Sequence, residues 1–212
     1  MDGRLKFAIR ELGVGEYVPG SSATPGWVYN PLPFPGCGDL RVHRPDTPDR
    51  WDIIVRHTNF LGKTVLDLGC ATGYFSFRAA QSGADSVLGI DHDPKAIEVC
   101  RIAAQIFDIE NVTFEHREAG VLDGKFDVGF AMAILNWMGK AKAALWLAWA
   151  KDNIDMLWVE IPVRGDGRAP ARWLRDAPST RKWLLGYFDN VEAAGESRAP
   201  HRGKMRTLFK CS

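Results

Sequence analysis

An α/β fold with a mostly parallel, helix-covered sheet is predicted by three consecutive stretches of this chain. The run Thr64–Leu68 is β-branched and apolar, and it leads into a small-residue turn, Asp67-Leu68-Gly69-Cys70-Ala71-Thr72-Gly73. A helical pattern follows over residues 74–82, and a second apolar strand over residues 86–90 again ends on an acid, Asp91. Parallel strands require a crossover between them and, when covered on both faces, read as continuous apolar runs. Strand, turn, helix and strand in this order make a βαβ unit.

The remaining elements follow in chain order. Residues 1–44 lack sustained periodicity and are rich in Gly and Pro, and Pro31 to Gly38 is incompatible with regular helix or central strand. This segment is expected to be an ordered lid or a flexible arm, with Trp27, Tyr29 and Phe34 favouring order, ahead of a domain over residues 45–212. Thr47-Pro48-Asp49 marks a helix start, with Thr47 as the cap and Trp51, Ile54, Val55 and Thr58 as the inner face. In the helix over residues 74–82, Phe75, Phe77, Ala79 and Ala80 form the face for the sheet, and Gly83 supplies the stop. Asp93 caps a helix over Pro94–Ile106, whose inner positions are Ile97, Cys100, Arg101 and Ala104. Further strands are predicted at residues 111–114, continuing to His116, and at residues 126–130 and 154–161. An alanine-rich helix is expected over residues 140–150 and a loop over 163–171. A helix broken at Pro178 is expected over 172–188, then an edge hairpin of Val191–Arg198 with residues 206–211.

A chain of 212 residues fits one domain with a substantial core. There is no apolar run near the ~18 residues of a membrane span, and the charged N-terminus is unlike a secretory signal. Cys37, Cys70, Cys100 and Cys211 have no C-x-x-C spacing, which reads as free thiols in a reducing, cytoplasmic compartment. No His/Cys/Asp cluster has metal-ligand spacing, so no metal is expected. Residues 161–212 hold 11 basic and 5 acidic residues, against 16 and 21 in residues 1–160. That asymmetry fits either an anionic substrate such as RNA or a phosphorylated sugar, or a solvated surface.

The βαβ unit points to a nucleoside. Gly69 and Gly73 give the turn freedom and let a ligand approach the backbone. An acid ending the second strand accepts hydrogen bonds from ribose hydroxyls, and Asp91 lies 24 positions after Asp67. A dinucleotide site wants G-x-G-x-x-G, but Ala71 and Tyr74 occupy its second and third glycine positions. A phosphate-binding P-loop wants a lysine after its last glycine, and none follows Gly73. The acid Asp67 suits a cationic ligand better than a phosphate. S-adenosylmethionine carries a sulfonium and an ammonium and no phosphate.

At these residues the chain resembles the class I S-adenosylmethionine-dependent methyltransferases. Their first motif runs roughly D-x-G-x-G-x-G after a strand and is matched by Asp67, Gly69 and Gly73, with Ala71 at the middle glycine. The resemblance covers roughly residues 45–160 and extends to the order of the strands beyond. It implies a Rossmann-like seven-stranded, mostly parallel sheet with helices on both faces and an antiparallel strand seven. It also implies that Asp67 meets the cofactor's methionine amine, with Gly69, Cys70, Ala71 and Gly73 forming the turn. Asp91 would then hold the ribose, His92 would border the adenine through its backbone, and Glu118 with Ala119 would meet the adenine amine. Asp67 is also a candidate to cap the following helix, a role compatible with the first. Residues 62–67 and 73–77 are also similar to a bacterial subgroup that includes tRNA wobble-uridine carboxymethyltransferase-like enzymes and enzymes tailoring sugars or small metabolites.

Methyl transfer asks an enzyme chiefly to align the acceptor and exclude water, and a base only when the acceptor is protonated. The end of the fourth strand faces the methyl in this family, which places Met132 at the cofactor and Asn136 and Trp137 at the acceptor. Asn136 orients by hydrogen bonds but is no base at neutral pH, and Trp137 either stacks on a flat substrate or packs. Glu160 and His43 are further candidates for catalysis. Arg172-Trp173 and Arg181-Lys182-Trp183 alternate base and aromatic as single-strand-binding surfaces do, although tryptophans at helical spacing more often serve a core. The expected activity is methylation of a small molecule or glycan. A tRNA or RNA-modifying enzyme is the alternative, and a catalytically silent S-adenosylmethionine-binding partner protein is a third. The acceptor atom and the oligomeric state stay open at this level.

Overall fold

The computed structural model describes residues 2–12, 27–162, 176–198 and 205–212. Its centre is a seven-stranded sheet. The strands are β3 (Thr64–Leu68), β4 (Ser86–Asp91), β5 (Val112–His116), β6 (Phe126–Met132), β7 (Ile154–Glu160), β8 (Val191–Arg198) and β9 (Met205–Cys211). Their order is β5-β4-β3-β6-β7-β9-β8, and every pairing is parallel except those of β9 with β7 and β8. A two-stranded parallel ribbon, β1 (Trp27–Val28) with β2 (Arg41–Val42), precedes it.

The alternation of side chains along each strand serves two cores. Val65, Phe130, Trp158 and Leu208 face the cluster under α2 (Thr47–His57) and α3 (Tyr74–Gln81). Leu66, Ala131, Leu157, Val159 and Phe209 face the opposite cluster, under α6 (Lys140–Asn153) and α7 (Ala177–Leu184). The helix α4 (Pro94–Ile106) lies on β4 and β5, and α1 (Gly3–Leu12) packs on its other side. A short helix, α5 (Leu135–Met138), links β6 to α6.

Several expectations are corrected here. Within residues 1–44 there is a helix: Leu5, Ala8 and Ile9 are buried at i, i+3 and i+4 spacing, while Phe7 is exposed. Three buried positions give too short a period to read without the partner helix. Around α2 the cap is Asp46, and Thr47 begins the helix and is fully buried. Val55 faces outward at 43% exposure, and Arg50 and Ile53 take the inner positions. The reason is that this helix packs against both α3 and β8, which turns its buried arc toward Arg50. Pro178 does not break a helix. It sits in the first turn of α7, where its missing N–H is harmless, behind an Asp176–Ser179 capping box. The predicted loop at 163–171 and the helix portion at 172–175 lie outside the described residues. Arg101 and Ala104 are less buried than Val99 and Ala103, because the buried arc of α4 also meets α1.

The strap of residues 27–44 lies against the helices of the domain. Phe34 stacks on Phe107 (centroids 4.0 Å apart) and meets Phe77 edge-on (4.8 Å). Gln81 donates its amide to the Pro33 carbonyl at 3.3 Å.

Candidate functional site

Strand order doubles back between β3 and β6, and ligands in open α/β sheets bind outside the carboxyl ends of the strands at such a point. A cavity of about 320 Å³ lies there. Its floor is the turn after β3, where Gly69 N–H (2.8 Å) and Cys70 N–H (3.0 Å) both donate to the Ile90 carbonyl. Gly69 has φ +73° and faces the Ile134 side chain so closely that a Cβ would fall 2.9 Å from it. Ala71 is also left-handed, at φ 49°, which explains why glycine is the residue of the resembling motif there. Ala133, at the end of β6, is a second left-handed alanine on the cavity wall (φ 60°). Non-glycine residues in this region carry backbone strain and gather at functional sites.

Asp91 ends β4 on the cavity wall and is 8% exposed. Its carboxylate accepts from the N–H of Ala71 (2.8 Å) and of Asp93 (2.9 Å), and it pairs with His92 Nδ1 at 3.1 Å. Burial alone would raise its pKa, but the His92 bond and the two backbone N–H groups hold it below the ordinary carboxylate range. Bonding to Asp91 in turn raises the His92 pKa. Beyond β5, Arg117, Glu118 and Ala119 form the adjoining wall, set by an Arg117 N–H to Asp91 carbonyl bond of 2.8 Å. His116 is structural, its Nε2 lying 3.0 Å from the His92 carbonyl. Past β6, Met132, Ile134, Trp137, Met138 and Lys142 close the other end, and Trp137 is 43% exposed.

The structure therefore gathers Gly69, Ala71, Asp91, His92, Glu118, Ala119, Met132 and Trp137 on one cavity. It does not bring the other candidates to that wall. Asp67 is 1% exposed, and its carboxylate accepts from Ser76 N–H (3.1 Å) and Ser76 Oγ (2.6 Å), capping α3. Burial pushes its pKa up to about 7 against those two bonds. Cys70 is buried behind the turn beside Cys100, where burial and the neighbouring thiol raise its pKa. Gly73 (φ +77°) starts α3 and approaches Phe77 and Cys100, so its side chain is excluded by packing and not by a ligand.

Asn136 is 2% exposed and is spent inside its own turn, donating to the Ala133 carbonyl (2.9 Å) and accepting from Trp137 Nε1 (3.1 Å). His43 packs its ring on Trp27, with centroids 4.9 Å apart, away from the cavity wall. Glu160 is fully buried; it accepts a hydrogen bond from Arg206 Nη1 (2.6 Å) and pairs ionically with Arg50 Nε (3.0 Å), with Arg44 Nη2 at 3.7 Å. Burial would raise its pKa, and the three guanidinium groups hold it low at the centre of an ion cluster. Asp46 completes that cluster through Arg44 and Arg50.

Sequence patterns missed Tyr29, Thr72, Arg117 and Lys142 on the cavity wall. The aromatic run in the strap was a signal for Tyr29, and the others carry none outside the fold. Part of the basic C-terminal excess is consumed internally: Arg206 in the ion cluster, Arg181 on the Val191 carbonyl (2.9 Å) and Lys210 on Glu192 (3.4 Å). Trp183 packs edge-on to Tyr187 at 5.8 Å, while Arg172 and Trp173 lie outside the described residues. Among the described residues no helix is long and apolar enough to cross a membrane, and no acidic, His or Cys cluster could hold a metal ion.

Comparison with known proteins bears on the fold and on part of the chain. Residues 60–149 match the family described as a methyltransferase domain. A tRNA U34 carboxymethyltransferase of Pseudomonas savastanoi is 33% identical over 92 residues, 41% of this chain and 28% of that protein. The chain spans between 26% and 34% of the length of such curated relatives. Among solved structures, the bifunctional kinase-methyltransferase WbdD superposes with TM-score 0.74 at 20% identity, over 98% of this chain and 46% of that one. Magnesium protoporphyrin IX methyltransferase of Synechocystis PCC 6803, solved with bound SAM, gives TM-score 0.59 at 24% identity, over 78% and 76% of the two chains. Those two are likenesses of fold. The match of residues 60–149 is to a methyltransferase domain, and the resemblance carried by Asp67, Gly69, Gly73 and Asp91 is to the S-adenosylmethionine-dependent methyltransferases.

Proposed function

We propose that this chain is an S-adenosylmethionine-dependent methyltransferase whose acceptor is a small molecule or glycan. The observation that carries the cofactor is the switch-point cavity with Asp91 on its wall, ionised and held by backbone N–H groups. The residues present fit the cofactor chemically. Asp91 retains lone pairs for ribose hydroxyls. Ile90, Ala96 and Ala119 offer apolar contact for a flat base, with Glu118 and His92 as polar neighbours. Gly69 and Ala71 leave room over the backbone for the methionine part, and no phosphate-binding lysine interrupts the turn. When bound, the cofactor supplies an activated methyl on its sulfonium.

The chain's own task is then to place an acceptor and exclude water. Met132, Met138 and the half-exposed Trp137 provide an apolar face at the carboxyl end of β6, and Lys142 adds a cation beside it. A tryptophan ring of this kind is a platform for a sugar or a flat ring. With Glu160, Asn136 and His43 otherwise engaged, no dedicated base is assigned, which suits an acceptor that is already nucleophilic. RNA is the second reading, favoured by the similarity to tRNA U34 carboxymethyltransferase.

The test is transfer from methyl-labelled S-adenosylmethionine into a cell extract, separated into small-molecule and acid-insoluble fractions with and without ribonuclease. Label in the small-molecule fraction is the expected result. Nuclease-sensitive insoluble label would replace it with the RNA reading. No transfer to any fraction, with cofactor binding intact, would leave a cofactor-binding protein without turnover.

A further inference from the structure

The turn that floors the cavity also grips the strap beside it. Thr72 is fully buried, and its hydroxyl makes two bonds to the backbone of one residue: it accepts from Asn30 N–H at 3.0 Å and donates to the Asn30 carbonyl at 3.0 Å. The residue before Asn30 is Tyr29, which reaches the cavity wall. The Tyr29 carbonyl accepts from Arg44 N–H at 2.9 Å. The Asn30 side chain is tied in turn to α2, its Oδ1 accepting from Thr47 Oγ1 at 3.0 Å. This part of the strap is also supported by the short β1–β2 ribbon and by α1, which packs on β1.

The neighbours of Thr72 in the turn have other partners. Ala71 N–H bonds the ribose-side acid Asp91 at 2.8 Å, and Gly73 starts α3. One three-residue turn thus joins Asp91, the cavity floor and the strap. Turn geometry alone asks only for small residues here, so a hydroxyl with both its donor and acceptor capacity spent on the strap is a specific choice.

We infer that Thr72 is a positioning residue whose hydroxyl clamps the strap to the cofactor turn, holding Tyr29 as a wall of the cavity and coupling cofactor binding to the strap. This rests on the cofactor reading above. Coupling of this kind is reciprocal: whatever the cofactor does for the strap, the strap does for cofactor affinity.

The experiment compares the full chain with Thr72→Val, which keeps the shape and removes both bonds, and with Thr72→Ser, which restores a hydroxyl. S-adenosylhomocysteine is the probe. Calorimetry reads affinity, and amide hydrogen exchange reads residues 27–34 with and without the probe. In the wild type, binding is expected to slow exchange across 27–34. Thr72→Val is expected to weaken binding about 10-fold, the size of one net hydrogen-bond contribution, and to abolish that protection. Thr72→Ser is expected to recover most of both. A merely structural threonine would lower the unfolding temperature without separating the exchange response from binding. A folded Thr72→Val with wild-type affinity and protection overturns the inference. Should Thr72→Val fail to fold, Tyr29→Ala tests the same wall, and unchanged affinity there overturns it. A wild type that binds neither S-adenosylmethionine nor the probe overturns the cofactor reading as well, and so is distinguished from failure of the clamp alone.

Discussion

The two sides of the switch point are built by different means. On the β3–β4–β5 side, the site is made by backbone groups of neighbouring strand ends: Gly69 and Cys70 on Ile90, Arg117 on Asp91, Ala71 on the Asp91 carboxylate. On the β6–β7–β9–β8 side, buried charge does the joining. Glu160 at the end of β7 gathers Arg44 from the strap, Arg50 from α2 and Arg206 from β9. The first side presents an ionised acid to a cavity, and the second encloses one in guanidinium groups. A buried acid at the carboxyl end of a sheet strand is therefore not by itself a catalytic group. What surrounds it decides.

The largest effect that would break this contrast lies at Glu160. Glu160→Ala removes the acid that Arg44, Arg50 and Arg206 share, and Asp46 remains beside Arg44 and Arg50. It should cost ~3–5 kcal/mol in urea unfolding, a large part of a typical domain's margin. A mild loss of stability with abolished turnover would instead return Glu160 to the catalytic site. On the other side, Asp91→Ala should weaken S-adenosylhomocysteine binding about 100-fold by calorimetry, corresponding to loss of charge-assisted bonds worth ~1.5–3 kcal/mol each. Its effect on unfolding should be the smaller of the two. Unchanged affinity would remove Asp91 from the ribose.

The sides should also differ in the direction of their pH response. The Asp67 pKa is raised in the fold, so the stability it contributes is complete below the unfolded value of about 4 and is lost as pH rises through about 7. Glu160 is held low, so its contribution is present above the unfolded carboxyl value of about 4 and is lost as pH falls through its folded pKa. Asp67→Asn should flatten the stability profile between about pH 4 and 7 in thermal melts without touching the acid limb. A profile identical to wild type would show that the Asp67 carboxyl is not desolvated. The smallest effect is expected at Ala71→Gly. Relieving its left-handed φ should change stability by no more than ~1 kcal/mol, and upward. A clear loss would mean that the Ala71 methyl packs usefully.

Legibility followed the range of the interactions. The helix of Pro94–Ile106 with its Asp93 cap and the strand of Val191–Arg198 were readable to the residue, because caps, prolines and apolar runs act within a few positions. The helix of Gly3–Leu12 was not, since three apolar positions gain meaning only against α4. At the site, Gly69, Ala71 and Asp91 were readable from the turn and the strand end that carry them. Tyr29 and Lys142 reach the same cavity from other parts of the chain, and no local pattern announces that meeting.

By itself, then, the sequence determined the βαβ unit, the strand succession and the acid at the end of β4. All of these rest on periodicity, backbone freedom and spacing within a few tens of residues. Only the tertiary structure decided the roles of the acids and amides that lie off this unit or behind it. Asp67 caps α3, Asn136 braces Trp137, and Glu160 is locked among arginines. The physical reason is that a carboxylate's or amide's function depends on its desolvation and its partners, and the partners come from segments far apart in the chain.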